Sequence, residues 1–185
     1  MTLPPPEARQ PLHRRSIDLR GYRRADGLYD VEAHLVDTKS ADLALDRGRI
    51  VRPGDPVHDM AVRLVVDEHL NVMQVFASTD AAPYGVCPEA AGALQCLAGL
   101  RIGPGWSKAV CERLAGRAGC THLTELLGPL ATVAYQTLWQ VRGARGDGIG
   151  TGGKPAKIDS CYAYSSEREL VRQRWPAWYL AVEEN

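Results

Sequence analysis

Alternating apolar and polar positions mark the first part of the chain as a series of strands. The alternation runs over residues 16–22 and 27–37, and between them Asp26-Gly27 readily adopts the positive φ angles of a tight turn. A second pair of alternating segments covers residues 60–67 and 71–78. We therefore predict a sheet of about four antiparallel strands, joined as two hairpins.

The second part of the chain changes to a helical spacing. Apolar residues recur at steps of three and four from 87 to 98, from 106 to 115 and from 120 to 141. Residues 40–56 are polar and contain Pro and Gly, which is typical of a loop. The expected fold class is α+β: an antiparallel sheet with three helices packed on one face.

The two ends of the chain differ in composition from this core. Residues 1–12 are rich in proline and predict a disordered lead-in, so a single α+β metal-binding domain is expected over residues 13–141. Residues 142–157 predict a flexible loop, since their Gly-Gly-Lys lacks the Ser or Thr of a phosphate loop. Residues 158–185 are expected to form a C-terminal arm that packs on the domain.

Composition argues against several kinds of partner. The 185 residues carry 22 acidic and 22 basic side chains, so net charge gives no reason to expect nucleic acid. No apolar run approaches the roughly 18 residues of a membrane helix, and no membrane partner is expected. We predict a cytoplasmic protein whose five cysteines are thiols, ligands or nucleophiles. Cys96 and Cys111 fall in apolar helical patterns and predict core thiols, whereas Cys161 is either packed or a reserve ligand.

Side chains that bind metals gather where the predicted elements begin. They are His58, Asp59, Cys87, Cys120, His122 and Glu125. Thiolate, imidazole and carboxylate together suit zinc or iron rather than magnesium or calcium. The set contains neither a CxxC pair nor an HExxH motif, so spacing alone does not identify the site.

The order of these residues resembles that of the U-type iron–sulfur scaffold proteins, the IscU and N-terminal NifU family. That family has a Cys-Gly-Asp-Val-Met stretch, a Tyr-Gly-Cys turn and a His-Cys pair at a helix start. The corresponding stretches here are His58-Asp59-Met60, Tyr84-Gly85-Val86-Cys87 and Gly119-Cys120. The resemblance covers about residues 57–141 and implies a scaffold-like core in which Asp59, Cys87 and Cys120 are metal ligands.

Departures from that family change the expected function. His58 lies close to the family's first cysteine position, and Gly119 replaces the histidine before the third cysteine, with His122 following instead. Fewer thiolates make a harder, more permanent site, which favours zinc or mononuclear iron over an iron–sulfur cluster. We expect His58 or His122 to be a fourth ligand or a general base, and Glu125 to support a ligand or carry protons.

The expected function is therefore metal binding, and a metal-dependent lyase or hydrolase acting on a small molecule is favoured. An iron–sulfur scaffold or carrier and a purely structural metal site are the alternatives. A metal-free thiol enzyme using Cys120 and His122 is disfavoured, because residues i and i+2 of a helix do not face each other. The oligomeric state is left open, and a homodimer is one option.

The whole chain is also similar to a bacterial family known only as a domain of unknown function, DUF2889. The similarity rests on Gly21-Tyr22, Asp26-Gly27, Asp37-Thr38-Lys39, His58-Asp59-Met60, Pro83-Tyr84 and Gly119-Cys120-Thr121-His122-Leu123. It implies no activity, but it makes the N-terminal hairpin part of the unit, in addition to the scaffold-like core. We expect hairpin residues to cover the site and bind a small acidic or aromatic substrate: Tyr22, Arg23, Tyr29, Glu32 and His34.

Overall fold

The computed structural model describes residues 3–145 and 148–181. The chain separates into two compact units, Met1–Thr137 and Leu138–Asn185. Among its described residues, the first unit contains six strands: β1 His13–Arg23, β2 Tyr29–Lys39, β3 Leu43–Ala44, β4 Ile50–Val51, β5 Pro56–Val66 and β6 Val72–Ala81. Four of them form an antiparallel sheet in the order β1-β2-β5-β6, which confirms the two predicted hairpins. The other two, β3 and β4, pair within the predicted loop 40–56.

The part of the first unit that the structure describes has three α-helices: α1 Trp106–Leu114, α2 Thr121–Glu125 and α3 Leu127–Thr137. The predicted first helix is instead a 3-10 helix, Cys87–Leu97. Shorter 3-10 turns cover Asp46–Gly48 and Gly116–Ala118. The fold is thus α+β, with α2 and α3 packed on one face of the sheet. None of the helices among the described residues is long and apolar enough to span a membrane.

The core lies between that sheet face and the helices. Strand β2 buries Tyr29, Val31, Ala33 and Leu35, while α2 and α3 bury Leu123, Leu127, Leu130 and Ala134. Gly21 of β1 allows a close approach of α3, because a Cβ at this position would lie 1.8 Å from Thr137 Oγ1. Apolar burial on this face holds α2 and α3 against the sheet.

The single long helix predicted over residues 120–141 is wrong. Pro129 has no backbone N–H, so the carbonyl of Glu125 loses its helical partner, and the N–H of Leu126 turns back to Leu123. The helix therefore divides into α2 and α3, and a further break at Leu138 precedes α4, Trp139–Ala144. Periodicity predicted the helical residues, but it did not register these interruptions.

The predicted burial of two cysteines is also wrong. Cys96 and Cys111 are both exposed, and so is Cys161. Each of the first two lies in an apolar helical pattern, yet the helices turn other residues inward, such as Leu94, Leu97 and Val110. Only one face of each helix is buried, and the two thiols lie next to that face rather than on it.

The second unit contains α4 and α5, Glu169–Arg174, with 3-10 turns at Thr151–Gly153, Tyr162–Tyr164 and Pro176–Trp178. The loop predicted over residues 142–157 thus begins inside α4, and its residues 146 and 147 lie outside the described residues, as do 182–185 of the predicted arm. Asp159 accepts hydrogen bonds from Lys154 and from the Ser166 N–H, and Lys154 first of all lowers its pKa to about 2. The expected packing of the arm on the domain stays a prediction.

Candidate metal centre

The inward face of the sheet ends in a row of polar residues. Register pairs Arg15 of β1 with Asp37 of β2, and Asp37 with His58 of β5. The preceding pair on this face, Leu35 and Met60, is fully buried. Side chains alternate along a strand, so all three polar residues point to the same side as the core.

Asp37 is the centre of this row. Its side chain is only 2% exposed, and Arg15 grips it with two hydrogen bonds, from Nε to Oδ1 at 2.8 Å and from Nη2 to Oδ2 at 2.7 Å. His58 Nδ1 lies 3.0 Å from Oδ2, and His13 Nε2 lies 3.4 Å from Oδ1. The Arg15 guanidinium lowers the pKa of Asp37, and Asp37 raises that of Arg15. The pair is therefore ionised.

Two imidazoles meet beside this carboxylate. The rings of His58 and His122 have their centroids 3.9 Å apart and are tilted by 31°. Asp37, His58 and His122 each place one potential ligand atom within 4.8 Å of the others. Burial first of all, and then the neighbouring His122, lowers the pKa of His58 against the opposing effect of Asp37.

The contact with Asp37 determines which nitrogen His58 offers a ligand. The neutral imidazole is favoured, and with Nδ1–H donating to Asp37 the lone pair of Nε2 stays available. A carboxylate that orients a histidine in this way is a common partner of metal-binding histidines.

Asp37, Arg15, His13 and His58 form a cluster with three further residues, which lie in or directly before helix α2: Cys120, His122 and Glu125. Cys120 precedes the helix in an extended conformation, φ −94° and ψ 128°, and its Sγ lies 3.9 Å from His122 Nδ1. The thiol and imidazole meet because Cys120 lies outside the helix, so the helical geometry expected to separate them does not apply. Glu125, 54% exposed, accepts a hydrogen bond from Arg15 Nη1 at 2.5 Å.

Two expected ligands lie elsewhere. Asp59 follows His58 in β5 and points to the opposite face of the sheet, where its Oδ1 lies 2.6 Å from His34 Nε2. Cys87 begins the 3-10 helix after β6 and, among the described residues, belongs to no group of three converging ligands. Cys120 is not in the group of Asp37, His58 and His122 either, but its Sγ lies 3.9 Å from His122 Nδ1. A one-residue step along a strand reverses the side chain, so adjacent His58 and Asp59 do not share one ion.

The hairpin residues expected to cover the site also lie apart from it. Tyr22, Glu32 and His34 line a groove of about 510 Å³ on the outer face of the sheet, whereas Tyr29 is buried in the core. Arg23 pairs with Tyr29 across β1 and β2 and shares its face. The outer groove and the cluster are thus separated by the sheet.

Sequence reasoning missed the contribution of Arg15, Asp37 and His13. One signal was present: Asp37 continues the alternation of buried positions that ends with Leu35, so it predicts an inward carboxylate that needs a partner. Nothing local indicated the partner, since Arg15 lies 22 residues away in sequence.

Residues 13–136 match the family described as a protein of unknown function, DUF2889. The chain belongs to this family. The matched stretch runs from the first residue of β1 nearly to the end of α3 and contains every member of the cluster. None of the curated proteins and none of the solved structures matches the chain. The sequence-based identification with DUF2889 is confirmed, and no match supports the expected likeness to the U-type scaffold proteins.

Proposed function

We propose that this DUF2889 protein binds one zinc or iron ion through His58, His122 and Cys120, and uses it on a small-molecule substrate. The observation that carries the proposal is the convergence of two imidazoles beside a buried, ionised carboxylate. Asp37 comes from β2, His58 from β5 and His122 from the start of α2, so only the folded chain brings them together.

The donor set fits such an ion. With metal bonds of about 2.3 Å to sulfur and 2.1 Å to nitrogen, a tetrahedral ion separates these two ligand atoms by about 3.6 Å. The observed distance between Cys120 Sγ and His122 Nδ1 is 3.9 Å. Asp37 is assigned the orienting role, because Arg15 already binds both of its oxygens. Imidazole and thiolate donors favour zinc or iron over magnesium or calcium.

Three protein ligands leave a coordination position for water or substrate. A bound ion there would lower the pKa of water or polarise a carbonyl, which suits a lyase or hydrolase. Asp37 holds His58 in one orientation and tautomer, and the Arg15 cation keeps Asp37 ionised. Half-exposed His13 and exposed Glu125 lie at the outer end of the row and are suited to carry protons to solvent.

The cluster contains a single cysteine, which makes a transferable iron–sulfur cluster the weaker alternative. A thiol-dependent enzyme is the second candidate. The contact between Cys120 and His122 favours it, since a nucleophilic thiol requires a base within reach.

Metal and sulfide analysis of the purified protein tests the proposal. We expect about one zinc or iron ion per chain and no sulfide, and loss of the ion in His58→Ala, His122→Ala and Cys120→Ala. Cys111→Ala, which removes an exposed thiol on α1, is the matched control and should keep the ion.

Full metal content in the His58 and His122 variants, or a wild type without metal, would overturn the metal site. A metal-free wild type in which iodoacetamide modifies Cys120 much faster than Cys111 would favour the thiol enzyme. Sulfide in equal amount to iron would favour the scaffold alternative.

A further inference from the structure

We propose that Arg15 is a positioning residue that holds helix α2 in place against the sheet and thereby sets the geometry of the proposed metal ligands. The metal-binding part of this inference rests on the proposed function. The positioning part has a separate measurement that requires no metal.

One guanidinium joins two elements. Nε and Nη2 of Arg15 donate to Asp37 on β2, and Nη1 donates to Glu125 on α2, 110 residues away in sequence. The planar group directs its donors along fixed lines, so holding Asp37 with one edge determines where the third donor meets Glu125.

Helix α2 needs such a connection because it is short. It contains five residues and ends where Pro129 interrupts the ladder. A helix of this length is unstable in isolation, so tertiary contacts determine its position. Buried Leu123 holds its apolar side, as does Leu126 directly after the helix, while the Arg15–Glu125 bond holds the polar side that carries His122.

The same residue also acts on the other imidazole. Arg15 holds Asp37 in place with two hydrogen bonds, and Asp37 accepts the hydrogen bond of His58. Arg15 is therefore hydrogen-bonded to Asp37 and Glu125, the groups that place the two proposed histidine ligands. Strand β1 lies at the edge of the sheet, and the hairpin of β1 and β2 thus contributes Arg15 and Asp37 to the site.

Zinc titration of full-length variants tests this role. Arg15→Lys keeps the positive charge but not the planar fork, and we expect it to bind zinc about 10- to 100-fold more weakly. Glu125→Gln, which weakens the helix side alone, should lie between this variant and wild type. The matched control is Arg63→Lys, which alters an arginine paired with Glu32 on the outer face of the same sheet and should bind like wild type.

Iodoacetamide modification of the metal-free protein, followed by mass spectrometry of the Cys120 peptide, gives the second measurement. Loss of the bridge should expose Cys120 and speed its modification several-fold in Arg15→Lys and Glu125→Gln, relative to Cys111 in the same molecule. Arg63→Lys should leave the ratio unchanged. If Arg15 had only a structural role, Arg15→Lys would lower the free energy of unfolding but would not change the ratio of Cys120 to Cys111 modification in the folded protein.

The outcomes separate the two proposals. Wild-type zinc affinity and wild-type Cys120 modification in Arg15→Lys and Glu125→Gln would overturn the role of Arg15. A wild type that binds no zinc overturns the proposed function, while faster Cys120 modification in the variants still supports positioning by Arg15. If Arg15→Lys does not fold, Glu125→Gln decides, since it leaves the Arg15–Asp37 pair intact.

Discussion

Asp37 is a buried carboxylate whose ion-pair partners among the described residues are an arginine and two histidines. Arg15 and His13 approach from β1, and His58 approaches from β5. Burying a charge without partners costs free energy, so Asp37 requires Arg15 and the histidines. Asp37 in turn holds Arg15 and His58 in place. At the scale of single residues, Asp37 is therefore the position at which stability and site geometry are coupled.

Asp37→Asn should lower the free energy of unfolding by about 3 kcal/mol, because it removes the carboxylate charge from a buried ion pair and leaves Arg15 with the exposed Glu125 in place of a buried partner. Urea denaturation at neutral pH measures the change. Asp42→Asn is the matched control: Asp42 pairs with Arg52 at 2.6 Å but is half exposed, and its loss should cost less than about 1 kcal/mol. Equal effects of the two substitutions would contradict the assigned role.

The same variant gives a pH dependence with a defined sign. The folded pKa of Asp37 lies below its ordinary value of 3.8. Its contribution is therefore fully present above that value, and it is lost as the pH falls from there through the lower folded pKa. Wild type should lose stability more steeply than Asp37→Asn in this acid range. Parallel curves would show that Asp37 makes no such contribution.

At the scale of elements, the packing of α3 on β1 depends on the absence of a side chain at Gly21. The nearest atoms to a Cβ there all belong to Thr137. The strand and the helix thus approach more closely than two ordinary side chains permit, which fixes α3 and the adjoining α2 over the sheet.

Gly21→Ala should destabilise the protein by about 1–3 kcal/mol, because the added methyl group overpacks the contact with Thr137. Thermal and urea denaturation measure the loss, and a second substitution, Thr137→Ala, should recover part of it. Gly128→Ala on α3 is the matched control: nothing lies within 4 Å of the added methyl group, so the helix should be unchanged or slightly more stable. A neutral Gly21→Ala would mean that α3 moves away at little cost.

The strands and helices were predicted to different degrees. Alternation identified all four long strands, because side chains on successive residues of a half-buried strand experience opposite environments. The helical spacing after Trp106 was also correct in type. The break before Leu127 was missed because the apolar repeat continues across it, and only the absent N–H of Pro129 indicates it.

At the scale of the whole molecule, the DUF2889 match and the first compact unit nearly coincide. The family covers residues 13–136, and the unit covers Met1–Thr137. The sheet, helices α1 to α3 and the proposed cluster all fall within both. The predicted domain end at residue 141 lies a few residues later, inside α4.

A fragment of residues 1–137 should therefore fold and retain the zinc affinity of the full chain. The fragment contains the long strands, the helices that pack on them and every proposed ligand, and its length is typical of an independent domain. Circular dichroism, urea denaturation and zinc titration of the fragment and the full chain make the comparison. An unfolded fragment, or one that binds zinc much more weakly, would show that the unit requires residues 138–185.

The sequence by itself determined the four long strands and the α+β class, and it pointed to three residues that the proposed metal site uses: His58, Cys120 and His122. These follow from local spacing and from side-chain chemistry, which neighbouring residues report. Only the tertiary structure decided that Asp59 faces away and that Arg15 and Asp37 join the histidines. Strand register and the direction of each side chain determine which residues meet. Arg15 lies 22 positions from Asp37 and 110 positions from Glu125, so no local pattern in the sequence indicates these contacts.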